Sequence, residues 1–344
     1  SLTVALLFYT RLRVFMSQLG AIYFFAIAAA IGPRTAAAGE SAHTSEAPQS
    51  LPAKPYNLYS LLTHDDLVAE IEQRHDPSNW PVHLERVTRG LLAAPYLRSA
   101  LGEERGIDRD PRFRLNAFDC TTFVETALAL AHCDDYEQLK PLLDKIRYTG
   151  GRPTFQSRRH LITSQWIPEL TAAGFVRDVT VHVGEEETKF IHLNLTKQRW
   201  QKRKFARTLP LKTEHVPFGH YDLPYLPIAV AKKRIRRIPI GTIVNVVRRE
   251  RTSSPDVVTH QGLIVGRPGS RRRYVRHASV ISKRVIDESL AKMLKRYSKP
   301  RKWPVVGINL LEIVPPSDRK HALPSATSQV SPELIERSEK PPLP

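Results

Sequence analysis

Three runs follow one another in the last third of the chain: TIVNVV (Thr242–Val247), VVTHQGLIV (Val257–Val265) and RYVRH (Arg273–His277). Each is rich in β-branched residues, and Gly, Pro, Ser and Arg turns separate them, which predicts strands. GINLLEI (Gly307–Ile313) predicts a fourth. Upstream the period changes. In TTFVETALALAH (Thr121–His132), Phe123, Val124, Ala127, Leu128 and Ala131 share one face of a 3.6-residue helix. LLTHDDLVAEIEQR (Leu61–Arg74) has helical spacing with Asp65 and Asp66 early in it. Tyr136–Ile146 predicts a further helix and His83–Leu97 a less regular one. Helices followed by a meander of strands predict an α+β fold with an antiparallel sheet.

The flanks read differently. Residues 1–38 hold Arg11, Arg13 and Arg34 and no acid, and LGAIYFFAIAAAI (Leu19–Ile31) is an uncharged apolar run. Ala36-Ala37-Ala38 follows. Basic flank, apolar core and small residues predict a secretory signal; a retained membrane anchor is the alternative. The run is short of the roughly 20 residues that span a bilayer, which favours cleavage. The expected setting is therefore exported, in the periplasm or cell envelope. Residues 39–58 are small, polar and Pro-containing and predict a linker. The domain is expected over 59–315, with a disordered Pro-rich tail over 316–344.

The chain has 344 residues, 25% charged and 41% hydrophobic, so a sizeable core is affordable. Its net charge is +18, nearly all outside residues 1–38. Two cysteines exclude a disulfide framework and a Cys-only zinc site. Basic runs occur at Lys197–Arg207, Lys232–Arg237, Arg271–Arg273 and Lys295–Lys302, interleaved with Trp200, Phe205 and Tyr297. No finger spacing or aromatic RNP-like strand accompanies them, so nucleic acid is not the expected partner. An anionic envelope surface gives such charge another use.

Cys120 opens the clearest helix, with Asp119 as a natural N-cap. A helix start carries partial positive charge and favours thiolate over thiol. A small core cysteine is the bland alternative. Cys133 lies 13 residues on, about 20 Å along a continuous helix and too far for a disulfide. Cys120 is thus expected to be a free thiol. A thiol nucleophile needs a base, and the base an orienting partner. Among 13 histidines, His260 lies within one strand and His277 ends the next, so both imidazoles can share a sheet face.

FDCTTFVE (Phe118–Glu125), then His260-Gln261-Gly262-Leu263, then His277-Ala278 resembles the papain-like NlpC-type cell-wall hydrolases. The closer likeness is to a subfamily first catalogued as a domain of unknown function and now called N-acetylmuramoyl-L-alanine amidase-like. It rests also on Arg147-Tyr148, on Ser157-Arg158-Arg159-His160, on Trp166-Ile167-Pro168, on Pro239-Ile240-Gly241 and on Asp256-Val257. The resemblance implies a papain-like fold and hydrolysis of the amide between the muramoyl lactyl group and L-alanine of peptidoglycan fragments, anhydro-muropeptides being the substrate class. It calls for no metal or cofactor. It implies Cys120 as nucleophile, His260 as general base and His277 as the group orienting His260. The backbone N–H groups of Cys120 and Thr121 would form the oxyanion hole. Tyr148, Ser157, Arg158, His160 and Trp166 are substrate-site candidates: Arg158 for stem carboxylates, Trp166 for a sugar face or else for the core. Two rival functions remain at this level: an endopeptidase cutting within the stem peptide, and a non-catalytic basic envelope-binding module. Gln261 and Thr242 depart from the family pattern, and Val183–Arg237 reads as an enlarged basic insertion.

Overall fold

The computed structural model describes residues 57–201, 209–267 and 269–321. The expected signal or anchor (1–38), most of the linker, part of the Lys197–Arg207 run and the tail beyond 321 lie outside the described residues. The folded part reaches beyond its expected limits at both ends. Asn57 is buried and its Nδ2 donates to the Leu115 carbonyl at 2.8 Å. At the other end, Pro316–His321 form a short 3₁₀ turn, and the Arg319 guanidinium stacks 3.8 Å from the Phe175 ring centroid.

Helices lead, as expected. α1 (His64–Arg74) starts three residues later than the apolar pattern, because Thr63 takes the N-cap. α2 (Trp80–Arg89) overlaps the expected helix over His83–Leu97 but starts and ends earlier. α3 (Cys120–His132) and α4 (Tyr136–Arg147) follow. Asp119 caps α3: its Oδ1 accepts from Thr122 N at 2.8 Å, while Thr122 Oγ1 accepts from Asp119 N at 2.9 Å. Cys133 is the C-cap residue and is buried, and both cysteines are free.

An eight-stranded sheet follows: β1 (Val176–Asp178), β2 (Lys189–Leu195), β3 (Gly219–Pro227), β4 (Thr242–Arg248), β5 (Val258–Arg267), β6 (Ser270–Ser279), β7 (Arg284–Ser289) and β8 (Val305–Ile313). Among the described residues every pairing between these strands is antiparallel. The order is β2-β3-β8-β4-β5-β6-β7, with β1 paired to β8. Only β4 to β7 form the expected meander. The chain then passes through α5 (Leu290–Tyr297) and returns to place β8 beside β4. Val183–Arg237, read as a basic insertion, supplies β2 and β3 at the sheet edge.

The central strands are covered on both faces, which is why they read as continuous apolar runs. Ile243, Val247, Leu263 and Leu311 pack with Phe123, Val124 and Leu128 of α3. Val244, Val246, Ile264 and Val275 pack with Leu290, Met293 and Leu294 of α5 on the other face. Register is pinned by a buried polar ladder: Gln261 Nε2 donates to Asn245 Oδ1 at 2.9 Å, and Asn245 Nδ2 to Asn309 Oδ1 at 2.9 Å. Asn309 Nδ2 then donates to Asp178 Oδ2 at 2.6 Å. Gln261 therefore serves the sheet and points away from its neighbour His260.

Candidate active site

Alternation along β5 and β6 puts His260 and His277 on the face covered by α5, in step with Ile264 and Val275. Their strands approach closely because residue 262 is glycine. A Cβ there would lie 2.6 Å from Val275 Cγ1 and 3.0 Å from His277 Cβ. The β5–β6 ladder runs as far as Leu263↔Arg276, and β6 continues on β7 through His277↔Ile286. At the end of that ladder the backbone amide of Gln261 comes near the Cys120 thiol and acts to lower its pKa, so the start of α3 approaches the strand one residue from His260.

His260 Nε2 lies 2.8 Å from His277 Nδ1, with the rings edge to face. His277 Nε2 lies 3.5 Å from Glu288 Oε2, and Arg296 Nη2 lies 2.5 Å from the same oxygen. Desolvation opposes the charge on Glu288, but the nearby His277 and the hydrogen-bonded Arg296 outweigh it and hold its carboxyl below the usual range. An ionised Glu288 favours the proton on His277 Nε2. His277 Nδ1 then accepts from His260 Nε2–H, which leaves the lone pair of His260 on Nδ1; the tautomers are assigned from this chain. Glu288 and Arg296 were not found from sequence, since a polar edge strand and a basic helix carry no motif. Tyr96 was also missed. Leu97 N donates to Phe118 O at 3.0 Å, and burial, then the nearby Cys120 and Asp119, raise the Tyr96 phenol.

The sequence expectation of a thiolate is corrected. Burial pushes the Cys120 thiol up to about 11, and the Asp119 carboxylate adds to this; Gln261 N–H and Thr121 offset only part. Burial, then His277 and Arg296, push His260 down to about 3. The resting thiol and imidazole are both neutral, and among the described residues no hydrogen bond joins Cys120 to His260. Iodoacetamide should therefore alkylate Cys120 slowly at pH 7, with a rate rising about tenfold per pH unit and still climbing between pH 9 and 10.5. A mass-resolved rate that is already level from pH 5 upward would point to an ion pair instead.

The other candidates scatter. Tyr148 is buried, its hydroxyl donating to Gly102 O at 3.0 Å. Beside it, Arg147 Nε meets Glu125 Oε2 at 3.0 Å, a buried pair joining two of the sequence signatures. Trp166 is fully buried in the core and offers no face to a sugar. Ser157 is held in a turn with Thr154. Arg158 is spent on acids: Nε donates to Glu103 at 2.7 Å and Nη2 to Asp108 at 2.8 Å. That corrects its reading as a free fork for a carboxylate. His160 Nε2 lies 2.7 Å from Phe155 O, and burial pushes it down to about 4. Arg158 and His160 do line one cavity of about 530 Å³, together with Ser99, whose N–H donates to the α3 cap Asp119 at 3.0 Å. Asp256, buried, accepts from Thr163 N at 3.2 Å and from Val258 N at 2.9 Å, bracketing the Ile162–Trp166 π-turn against β5.

Solved structures share this architecture. A Legionella pneumophila protein of the DUF1460 family superposes with a TM-score of 0.62 at 20% identity, over 73% of this chain and 95% of that one. An N-acetylmuramoyl-L-alanine amidase from Bacteroides uniformis gives 0.52 at 23%, over 68% and 99%. A Bacteroides fragilis protein named as a candidate xylanase gives 0.52 at 26%, over 66% and 98%. A comparison with curated proteins finds no match. The family model described as AmiA-like, N-acetylmuramoyl-L-alanine amidase-like, matches residues 86–299, a span running from α2 through both histidine strands to the end of α5. The chain belongs to that amidase-like family.

Proposed function

We propose that this chain is a papain-like cysteine amidase of the NlpC type, acting on the amide between the muramoyl lactyl group and L-alanine of peptidoglycan fragments, with anhydro-muropeptides as the substrate class. The carrying observation is the 2.8 Å His260–His277 contact one residue from the backbone amide that lies near the Cys120 thiol. A binding module has no need of that arrangement. A xylan-cleaving site would need paired carboxylates; no Asp or Glu lines the cavity at His260.

The steps follow from neutral partners. The reading requires the Cys120 thiol and His260 Nδ1 to close to hydrogen-bond reach around the substrate; Cys120 then gives its proton to His260 Nδ1 as sulfur attacks the amide carbon. The oxyanion is held at the start of α3. Thr122 N and Phe123 N are taken by Asp119, and the first N–H groups of a helix have no partner within it. Those of Cys120 and Thr121 therefore serve the oxyanion. His260 returns the proton to the alanine nitrogen as the C–N bond breaks. Water then attacks the thioester and gives one proton to His260, which passes it to the departing sulfur so that the thiol reforms; the lactyl carboxylic acid released loses its remaining proton to solvent.

Export to the periplasm or envelope, expected from residues 1–38, would bring such an enzyme to its substrate. Incubation with a defined anhydro-muropeptide should yield a sugar without its peptide and a free peptide beginning with L-alanine, read by mass spectrometry. Products cut inside the stem would instead establish the endopeptidase.

A further inference from the structure

We infer that the cavity beside the histidine pair is a carboxylate-recognition subsite, built to hold the acidic peptide portion of the substrate. The inference rests on the amidase reading for which molecule arrives, and on the cavity's own chemistry for what is bound. The cavity, of about 680 Å³, is lined by His260 and His277 together with Arg248, Arg301, Lys302 and Trp303. Arg301 and Lys302 are exposed, and among the described residues no ion pair holds either. Arg248 Nε donates to Thr259 Oγ1 at 3.0 Å and its Nη1 to the Trp303 carbonyl. Trp303 is fixed in turn, its Nε1 donating to Arg249 O at 2.7 Å and its ring lying 3.5 Å from the Arg251 guanidinium.

These cations crowd one another. Burial, with repulsion from Arg301 and Arg251, holds Arg248 below its ordinary value; Tyr297 offsets a part. A bound anion would relieve that repulsion. Arginine forks and a lysine ammonium are the usual partners of carboxylates. Ile281, 68% exposed, and Val280, 50% exposed, add an apolar lip that a peptide backbone would cover. The cavity at Arg158 is unlike this one: Asp108 and Asp110 line it, and Arg158 is already neutralised. Carboxylates are therefore gripped on the Trp303 side of the histidines.

The test reads binding, not turnover. Calorimetry on the Cys120→Ala protein would compare a short peptide beginning with L-alanine and bearing free carboxylates with the same peptide fully amidated. The acidic peptide should bind at least about tenfold more tightly, with the difference shrinking as salt rises. R301Q/K302Q should erase most of that difference with an unchanged circular dichroism spectrum and melt, since both side chains are exposed. Arg158→Gln should preserve it. Equal binding of the two peptides, or a preference surviving in R301Q/K302Q, would overturn the inference. A protein that shows the preference but cuts no muropeptide keeps this subsite and loses the amidase reading; one that cuts without the preference does the reverse.

Discussion

Cys120→Ala should abolish release of the L-alanine peptide, a loss on the order of 10⁴-fold or more, while the protein still melts cooperatively near the parent temperature. The thiol is half-buried at the first position of α3, and alanine is the best helix former, so little packing is lost. His260→Ala should fall nearly as far, and the double variant no further, because nucleophile and base act as one unit. His277→Ala should be milder, about 10- to 100-fold, since it acts through His260. His277→Asn should recover part of that loss, because its amide oxygen can accept from His260 Nε2–H. The assay is product mass per unit time from a defined muropeptide. Undiminished turnover by Cys120→Ala would end the cysteine mechanism.

Gly262→Ala should cost both stability and activity, although it adds one methyl group. The glycine lies within β5, so backbone strain is not the cause. The new Cβ would meet Val275 Cγ1 at 2.6 Å, His277 Cβ at 3.0 Å and Arg276 O at 3.1 Å. Val275 is fully buried and cannot swing away, so β6 must move off β5. Overpacking of this kind costs about 1–3 kcal/mol. Moving β6 also carries His277 Nδ1 away from His260, and a misplacement of about 1 Å can lower turnover by about 10²-fold. A thermal melt and a turnover assay check the two effects together. Wild-type values in both would show that the close approach of the strands is not what aligns the histidines.

The local patterns had different reach. The period of Thr121–His132 and the cap chemistry of Asp119 marked the start of α3 to within one residue, because a helix and its cap are set by contacts within one turn. The runs at Thr242–Val247 and Val257–Val265 located β4 and β5 because strands buried on both faces show as continuous apolar segments. β2 and β7 escaped notice for different reasons: β2 alternates, with Ile191, Leu193 and Leu195 buried between exposed His192 and Asn194, but lies in the stretch read as a basic insertion, whereas β7 is short and mostly polar. The placement of β8 beside β4, far from its neighbour in sequence, is a pairing that no local pattern encodes.

The same division holds at the site. Residue types and order alone singled out Cys120, His260 and His277, since a free helix-start thiol and strand histidines are legible one by one. What they meet was decided in three dimensions. Glu288 and Arg296 complete the histidine chain from a polar edge strand and a basic helix that look like surface. Arg158 and Trp166, which suggest substrate contacts as letters, are held by Glu103 and Asp108 in one case and by the core in the other. Protonation was tertiary as well: the dipole of α3 argues for a thiolate, but burial and the Asp119 charge act on the same sulfur and prevail. Solvation and the partners of a charge depend on which segments the fold brings together, and these are the quantities a linear pattern does not carry.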